Sequence, residues 1–173
     1  MITLITGGSK CGKSRLAENL LEQFAGPKIY VATMQPFGVE ASAAIDRHRR
    51  LRAGKGFDTV EKYTDLHELS LPDNCGVLLE CIGNLCANEM FRSQSVSYPA
   101  ERIAESIIRL GRTAAEFVAV TNQVGCDGIS YEQGTADYIR QLGIINSLVA
   151  SEADRVIECV YGVPVMLKGV LPC

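Results

Sequence analysis

Eight residues near the start of the chain, Gly7-Gly8-Ser9-Lys10-Cys11-Gly12-Lys13-Ser14, form a complete G-x-x-x-x-G-K-S pattern. The pattern lies between an apolar run, Ile2–Thr6, that reads as a strand and an amphipathic stretch, Lys13–Phe24, that reads as a helix. That context gives it meaning. The glycines let the backbone turn tightly, so that successive N–H groups converge on phosphate oxygens, and the helix adds its positive N-terminal end. Lys13 then reaches the β- and γ-phosphates of a nucleoside triphosphate, and the Ser14 hydroxyl ligates Mg²⁺.

The rest of the chain keeps the same alternation of strand and helix. Strands are expected at Ile2–Thr6, Lys28–Thr33, Gly76–Cys81, Phe117–Thr121 and Arg155–Val160, with a closing strand Val163–Lys168 returning after Gly162. Helices are expected at Lys13–Phe24 (Leu16, Leu20, Leu21 and Phe24 on one stripe), Ala41–Arg52, Pro99–Glu116 (Ile103, Ile107, Ile108 and Leu110 buried) and Ala136–Ser151. Such alternation predicts a three-layer α/β domain: a P-loop NTPase fold of RecA-like type, mostly parallel, with an antiparallel C-terminal edge. At 173 residues, without repeats or a Pro/Gly/Ser-rich linker, residues 1–173 read as a single nucleotide-binding domain.

A P-loop needs a second acidic group for its metal, and Gly76-Val77-Leu78-Leu79-Glu80-Cys81 offers Glu80. A carboxylate after three aliphatics is tolerable where the strand emerges at its carboxyl end, the edge at which open α/β sheets hold their ligands. The other reading is a core glutamate paired with an arginine.

Of the two histidines, His67 reads as a surface residue, whereas His48 lies in Asp46-Arg47-His48-Arg49-Arg50-Leu51-Arg52-Ala53-Gly54-Lys55. Those residues hold five of the seventeen basic side chains and one acid. A local charge of about +4 therefore belongs to a molecule whose remainder is about −7. A neutral imidazole there can attack phosphorus and carry the group as a phosphoramidate, with Arg49 and Arg52 among the arginines neutralising phosphate oxygens and departing pyrophosphate. From the residues alone, a solvated basic helix face with an incidental histidine is the more ordinary reading.

Composition excludes other classes. Twenty acidic against seventeen basic residues give a net charge of −3, against a dedicated nucleic-acid or membrane-surface binder. The basic helix also lacks the interleaved aromatics of a stacking platform. No apolar run approaches the ~18–20 residues that span a bilayer. The first residues lack the basic start and cleavage site of a signal peptide. Seven cysteines without C-x-x-C spacing read as reduced thiols, several packed as small hydrophobes, in a cytoplasmic protein.

The P-loop, the His48 island, Leu78-Leu79-Glu80-Cys81 and Val120-Thr121-Asn122-Gln123-Val124-Gly125 occur in an order that resembles the bifunctional adenosylcobinamide kinase / adenosylcobinamide-phosphate guanylyltransferase family of cobalamin biosynthesis. The likeness runs nearly end to end. It takes in Ala32-Thr33, Ile45-x-x-His48-x-x-x-Arg52, Thr59-x-Glu61, Asn84 to Asn88, Gly143-x-x-Asn146, Ala153-Asp154-x-Val156 and Gly162-Val163-Pro164-Val165-x-Leu167-Lys168. The resemblance implies two reactions on one fold. Adenosylcobinamide is phosphorylated by a nucleoside triphosphate, ATP or GTP. GMP then passes from GTP to a histidine and on to the new phosphate, giving adenosylcobinamide-GDP and pyrophosphate. It implies His48 as the guanylylated nucleophile, Gly7 to Ser14 as the phosphate cradle and Glu80 as the strand-end acid at the metal. It further implies nucleotide contacts at Ala32, Thr33, Arg49, Arg52 and Glu61, the last with guanine or ribose, and a homotrimer.

The chain departs from the family pattern in places. Cys11 replaces a usual serine, though its backbone N–H is unchanged, and Ala44 replaces a common arginine. The stretch Cys126-Asp127-Gly128-Ile129-Ser130-Tyr131 lacks the usual proline, and an arginine expected in the next helix is missing near Ala136 and Asp137. Two rival readings remain: a P-loop kinase of another small alcohol with His48 idle, and a nucleotide-dependent regulatory module.

Overall fold

The computed structural model describes residues 1–36, 45–46, 49–50, 53–92 and 98–170. In chain order the elements are β1 (Ile2–Thr6), α1 (Lys13–Glu22), β2 (Lys28–Ala32), β3 (Phe57–Glu61), a 3-10 turn (Leu66–Glu68), β4 (Gly76–Leu79), α2 (Ile82–Phe91), α3 (Ala100–Thr113), β5 (Glu116–Val120), α4 (Gln133–Glu152), β6 (Arg155–Val160) and β7 (Val163–Lys168). The seven strands form one sheet in the order β3-β2-β4-β5-β1-β6-β7. The pairings from β3 through β6 are parallel, and β7 returns antiparallel against β6. The carboxyl ends of β1 to β6 therefore share one edge.

Period-2 alternation along the central strands sorts their side chains into two buried layers. Leu4, Val31, Val77 and Leu79 meet Ile82, Leu85, Ile103, Ile107, Leu110, Leu142, Ile145 and Val149, so α2, α3 and α4 cover one face. Ile5, Tyr30, Leu78, Val118, Val120 and Ile157 meet Ala17 and Leu21 of α1 on the other. This is the expected three-layer arrangement. Leu16, Leu20 and Phe24 only half-bury on the second layer, and Ile108 half-buries beside α4.

The element boundaries differ at informative places. The expected third helix stops at Thr113, because Ala115 and Glu116 donate backbone bonds to Cys75 O and turn the chain into β5. α4 starts at Gln133 rather than Ala136. β3 and α2 are additions to the expected set. Within the expected helix Ala41–Arg52, Ile45, Asp46, Arg49 and Arg50 are helical, while residues 41–44, 47–48 and 51–52, and with them His48 and Arg52, lie outside the described residues. Cys11, Cys75, Cys81, Cys86, Cys126 and Cys159 are free thiols, four of them buried, whereas Cys173 lies outside the described residues. No described helix is long and apolar enough to cross a membrane.

Candidate active site

The loop between β1 and α1 is shaped by three positive-φ residues, Gly7 (φ 143°), Lys10 (57°) and Gly12 (105°). Gly7 is fixed by space as well as by dihedral angle. A β-carbon there would lie 2.6 Å from the Cys159 carbonyl oxygen and 3.0 Å from Cys11 Sγ. Lys13, the first residue of α1, is buried, and its Nζ donates to Gly7 O (2.9 Å) and Gly8 O (2.6 Å). Ser14 follows it into the same helical turn, half-buried. Backbone N–H groups turned inward by such dihedrals, at the start of a helix, make an anion-binding concavity. The residues fit a polyphosphate.

Across the cleft, Glu80 leaves the end of β4 and is nearly buried (8% exposed) without an arginine partner among the described residues. Its Oε1 accepts from the Tyr30 hydroxyl (2.7 Å), and its Oε2 accepts from the backbone N–H groups of Thr33 (2.9 Å) and Met34 (3.0 Å). Thr33, buried at the end of β2, donates its hydroxyl to Cys81 O (2.9 Å). The carboxylate is thus oriented by β2 while its own backbone belongs to β4. Buried charge is tolerable when hydrogen-bonded in this way.

A cleft of about 490 Å³ joins these parts, lined by Ser9 to Arg15 together with Met34, Glu80, Cys81, Asn84, Val120 and Asn122. Asn84 and Asn122 are contributions that the sequence reading did not single out as site residues. Cys81 Sγ accepts from the Asn84 backbone N–H (3.4 Å) and from Asn122 Nδ2 (3.4 Å), so one sulfur caps α2 and holds an amide in the cleft. Burial pushes the Cys81 thiol up, which keeps it a neutral acceptor. Ser14 and Glu80 both line this space and offer oxygens of the kind hard divalent cations prefer.

Beside the cleft, a small crevice is lined by Tyr30, Ala32, Met34, Ile45, Arg49, Thr59, Glu61, Tyr63 and Glu80. It shares Met34 and Glu80 with the larger space. Glu61, at the end of β3, meets Arg49 (3.4 Å) and accepts from the Tyr63 hydroxyl (2.8 Å). Burial, and after it the Glu61 contact, raises the Tyr63 phenol and keeps it a donor. Asn88 of α2 ties the strand ends together, its Nδ2 donating to Thr33 O and Tyr63 O, each at 2.9 Å. The structure therefore brings Gly7 to Ser14, Thr33 and Glu80 to one edge, with Ala32, Arg49 and Glu61 next to them. His67 is exposed on the 3-10 turn.

A glycine-rich loop between the central strand and a covering helix, opposite a buried carboxylate at the carboxyl edge of a parallel sheet, defines a nucleotide-handling protein of the P-loop ATPase class. One solved ATPase domain superposes with a TM-score of 0.55 at 9% identity, covering 91% of this chain and 68% of that one. A protein from Pyrococcus horikoshii OT3, solved as project PH0250, gives 0.54 at 8% identity, covering 98% and 87%. The chain belongs to the family described as cobinamide kinase / cobinamide phosphate guanyltransferase, whose model matches residues 3–167. It is 34% identical to the bifunctional adenosylcobalamin biosynthesis protein CobU of Escherichia coli K12, over 97% of this chain and all of that protein. Identity to the protein of the same name from Salmonella typhimurium LT2 is 33%, again over 97% of this chain and all of the relative. The bifunctional adenosylcobalamin biosynthesis protein CobP of Pseudomonas aeruginosa PAO1 is 27% identical over 98% of both chains. The chain is an enzyme of this cobinamide-handling family.

Proposed function

We propose that this chain, as one domain, phosphorylates adenosylcobinamide with ATP or GTP, and then moves GMP from GTP through His48 to adenosylcobinamide phosphate, releasing pyrophosphate and adenosylcobinamide-GDP. The observation that carries the reading is the adjacency of two spaces. Ile45 and Arg49, which bracket His48 in sequence, line a crevice that shares Met34 and Glu80 with the phosphate-loop cleft.

In the kinase step the Lys13 ammonium, already at the loop, takes the β- and γ-phosphate oxygens in place of the Gly7 and Gly8 carbonyls. The backbone of Gly7 to Ser14 cradles the chain of phosphates. Glu80 is held by Tyr30, Thr33 and Met34 where it can orient the acceptor hydroxyl or take up its proton. Ser14 and Glu80 would hold Mg²⁺, which when bound would supply neutralisation of phosphate charge. In the guanylyl step His48 attacks the α-phosphorus in line with pyrophosphate. The N–P bond forms as the P–O bond to pyrophosphate breaks, and the acceptor phosphate later displaces the imidazole. Arg49 and Arg52 offset the charge of the phosphates, Ala32 and Thr33 border the nucleotide, and Glu61, paired with Tyr63 and Arg49, meets the guanine or ribose. The same reading makes the protein a cytoplasmic homotrimer that takes a corrinoid and no nucleic acid, with light scattering as the check on assembly.

Incubation with α-labelled GTP is the test. Wild type acquires acid-labile, base-stable label, and His48→Ala acquires none while still converting the triphosphate to nucleoside diphosphate when adenosylcobinamide is the acceptor. Label persisting in His48→Ala would refute the nucleophile assignment. Nucleoside diphosphate without any labelled protein in wild type identifies a kinase in which His48 is idle.

A further inference from the structure

Two thiols lie together at the phosphate loop, Cys11 within it and Cys159 on the neighbouring strand β6. Cys159, buried on β6, donates from Sγ to the Cys11 carbonyl oxygen at 3.1 Å. A β-carbon on Gly7 would lie 3.0 Å from Cys11 Sγ, and one on Gly12 would lie 3.6 Å from Cys159 Sγ. The Cys159 thiol is thus bonded to the backbone of the very residue whose own sulfur borders Gly7. Burial first, and the Cys11 contact second, hold the Cys159 thiol above its ordinary value. Cys11 is the reachable member, because it is half-buried and lines the cleft, with Lys13 Nζ 3.9 Å from its sulfur. A cation there attracts anionic small molecules.

We propose that Cys11 is a thiol–disulfide exchange site with Cys159 as its resolving partner, and that closing the Cys11–Cys159 disulfide removes nucleotide from the loop. The reactant is a low-molecular-weight disulfide. Cys11 loses its proton to solvent and attacks one sulfur, forming a mixed disulfide and expelling one small thiolate. Cys159, deprotonated in turn, attacks Cys11 Sγ and expels the second. One small disulfide is reduced to two thiols, and two protein thiols are oxidised to one disulfide.

The new bond must be absorbed by the loop that carries Cys11. Drawing the sulfurs to about 2.05 Å pulls Cys11 toward β6, yet Gly7 is already packed so tightly that a β-carbon would meet Cys159 O at 2.6 Å. Residues 9 to 13 move instead, and with them the N–H groups that must converge on phosphate. Lys13 begins only two residues beyond the cross-link. The effect is on phosphate access alone and holds whichever acceptor the enzyme uses.

The experiment treats the full chain with glutathione disulfide, maps its thiols by mass spectrometry and titrates the product with fluorescent (mant) GTP and ATP. Wild type shows a Cys11–Cys159 cross-link and binds either nucleotide at least about tenfold more weakly, with recovery on reduction. Exposed Cys126 carries glutathione in every treated, unreduced sample and serves as the internal control. Cys159→Ser keeps a donor for the Cys11 carbonyl and binds nucleotide like reduced wild type. After treatment it holds glutathione on Cys11 with no cross-link. Glutathione remaining on Cys11 of wild type, or a cross-linked protein that binds as the reduced one does, overturns the proposal. The wild-type map decides the cross-link even if the variant fails to fold. Reduced protein that binds neither nucleotide contradicts the phosphate-loop reading and, with it, the proposed effect on binding.

Discussion

At the scale of single residues the phosphate loop separates two neighbouring glycines, Gly7, which the motif requires, and Gly8, which falls at one of its free positions. Gly7 combines a φ of 143° with a virtual β-carbon 2.6 Å from a backbone oxygen, and backbone on β6 cannot yield as a flexible side chain could. Gly8 has nothing within 4 Å of the corresponding point. Gly7→Ala is therefore expected to cost at least about 2 kcal/mol of stability and to abolish nucleotide binding. Gly8→Ala is expected to stay within about 0.5 kcal/mol of wild type in urea unfolding. Equal stability of the two variants would contradict this account of the loop. The same scale explains why Glu80 was legible and its partners were not. A charged residue ending an aliphatic strand announces itself in sequence, whereas the bonds from Thr33 N and Met34 N depend on β2 lying beside β4, which only the assembled sheet defines.

Among the elements, the long amphipathic helices and the aliphatic strands were readable, while α2 and β3 were not. In α2 the buried positions Ile82, Leu85, Cys86 and Glu89 follow the i, i+3, i+4, i+7 pattern of a helix, but an acid in the fourth slot breaks the apolar stripe. Gly83, Asn84 and Asn88 lower its intrinsic propensity further. Packing explains the first of these, since a β-carbon on Gly83 would meet the Tyr138 hydroxyl at 2.9 Å. Among the described residues β3 pairs with β2 alone, at the sheet edge, and leaves Asp58, Thr59 and Glu61 exposed, so it carries little strand signal. Asn88 is where the hidden helix acts on the site, because its single amide joins the ends of β2 and β3. Asn88→Ala strips a donor from the carbonyl of buried Thr33 and from that of Tyr63. It is expected to cost about 1–3 kcal/mol in thermal or urea unfolding. As a positioning residue it should also lower kcat more than it raises KM for the triphosphate. An unchanged kcat with the stability loss would confine Asn88 to a structural role.

For the whole molecule, the frame behind the site depends on charge as well as on the apolar core. Glu89, almost completely buried, accepts from Asp65 N (2.7 Å), Arg102 (2.8 Å) and Arg92 (3.1 Å), while Asp65 itself meets Arg92 at 2.6 Å and Arg102 at 3.4 Å. One network thus joins the turn after β3 to α2 and α3. The Arg92 hydrogen bond, against a smaller opposing effect of burial, holds the Asp65 carboxyl below its ordinary value of 3.8. A depressed carboxylate stabilises the fold wherever the unfolded chain would also be ionised, and that contribution disappears as pH falls through the folded value. Wild-type stability should therefore drop steeply on acidification below about pH 4, in part through this group. Asp65→Asn isolates the charge, since Asn tolerates the left-handed backbone at this position (φ 53°) as Asp does. It is expected to be about 1 kcal/mol less stable at pH 7 and to lose less than wild type between pH 4 and pH 2. Parallel urea titrations across that range measure both. Identical slopes for the two proteins would mean that Asp65 adds no pH-dependent support, leaving Glu89 with its two arginines to anchor the turn from which Tyr63 reaches toward Glu61.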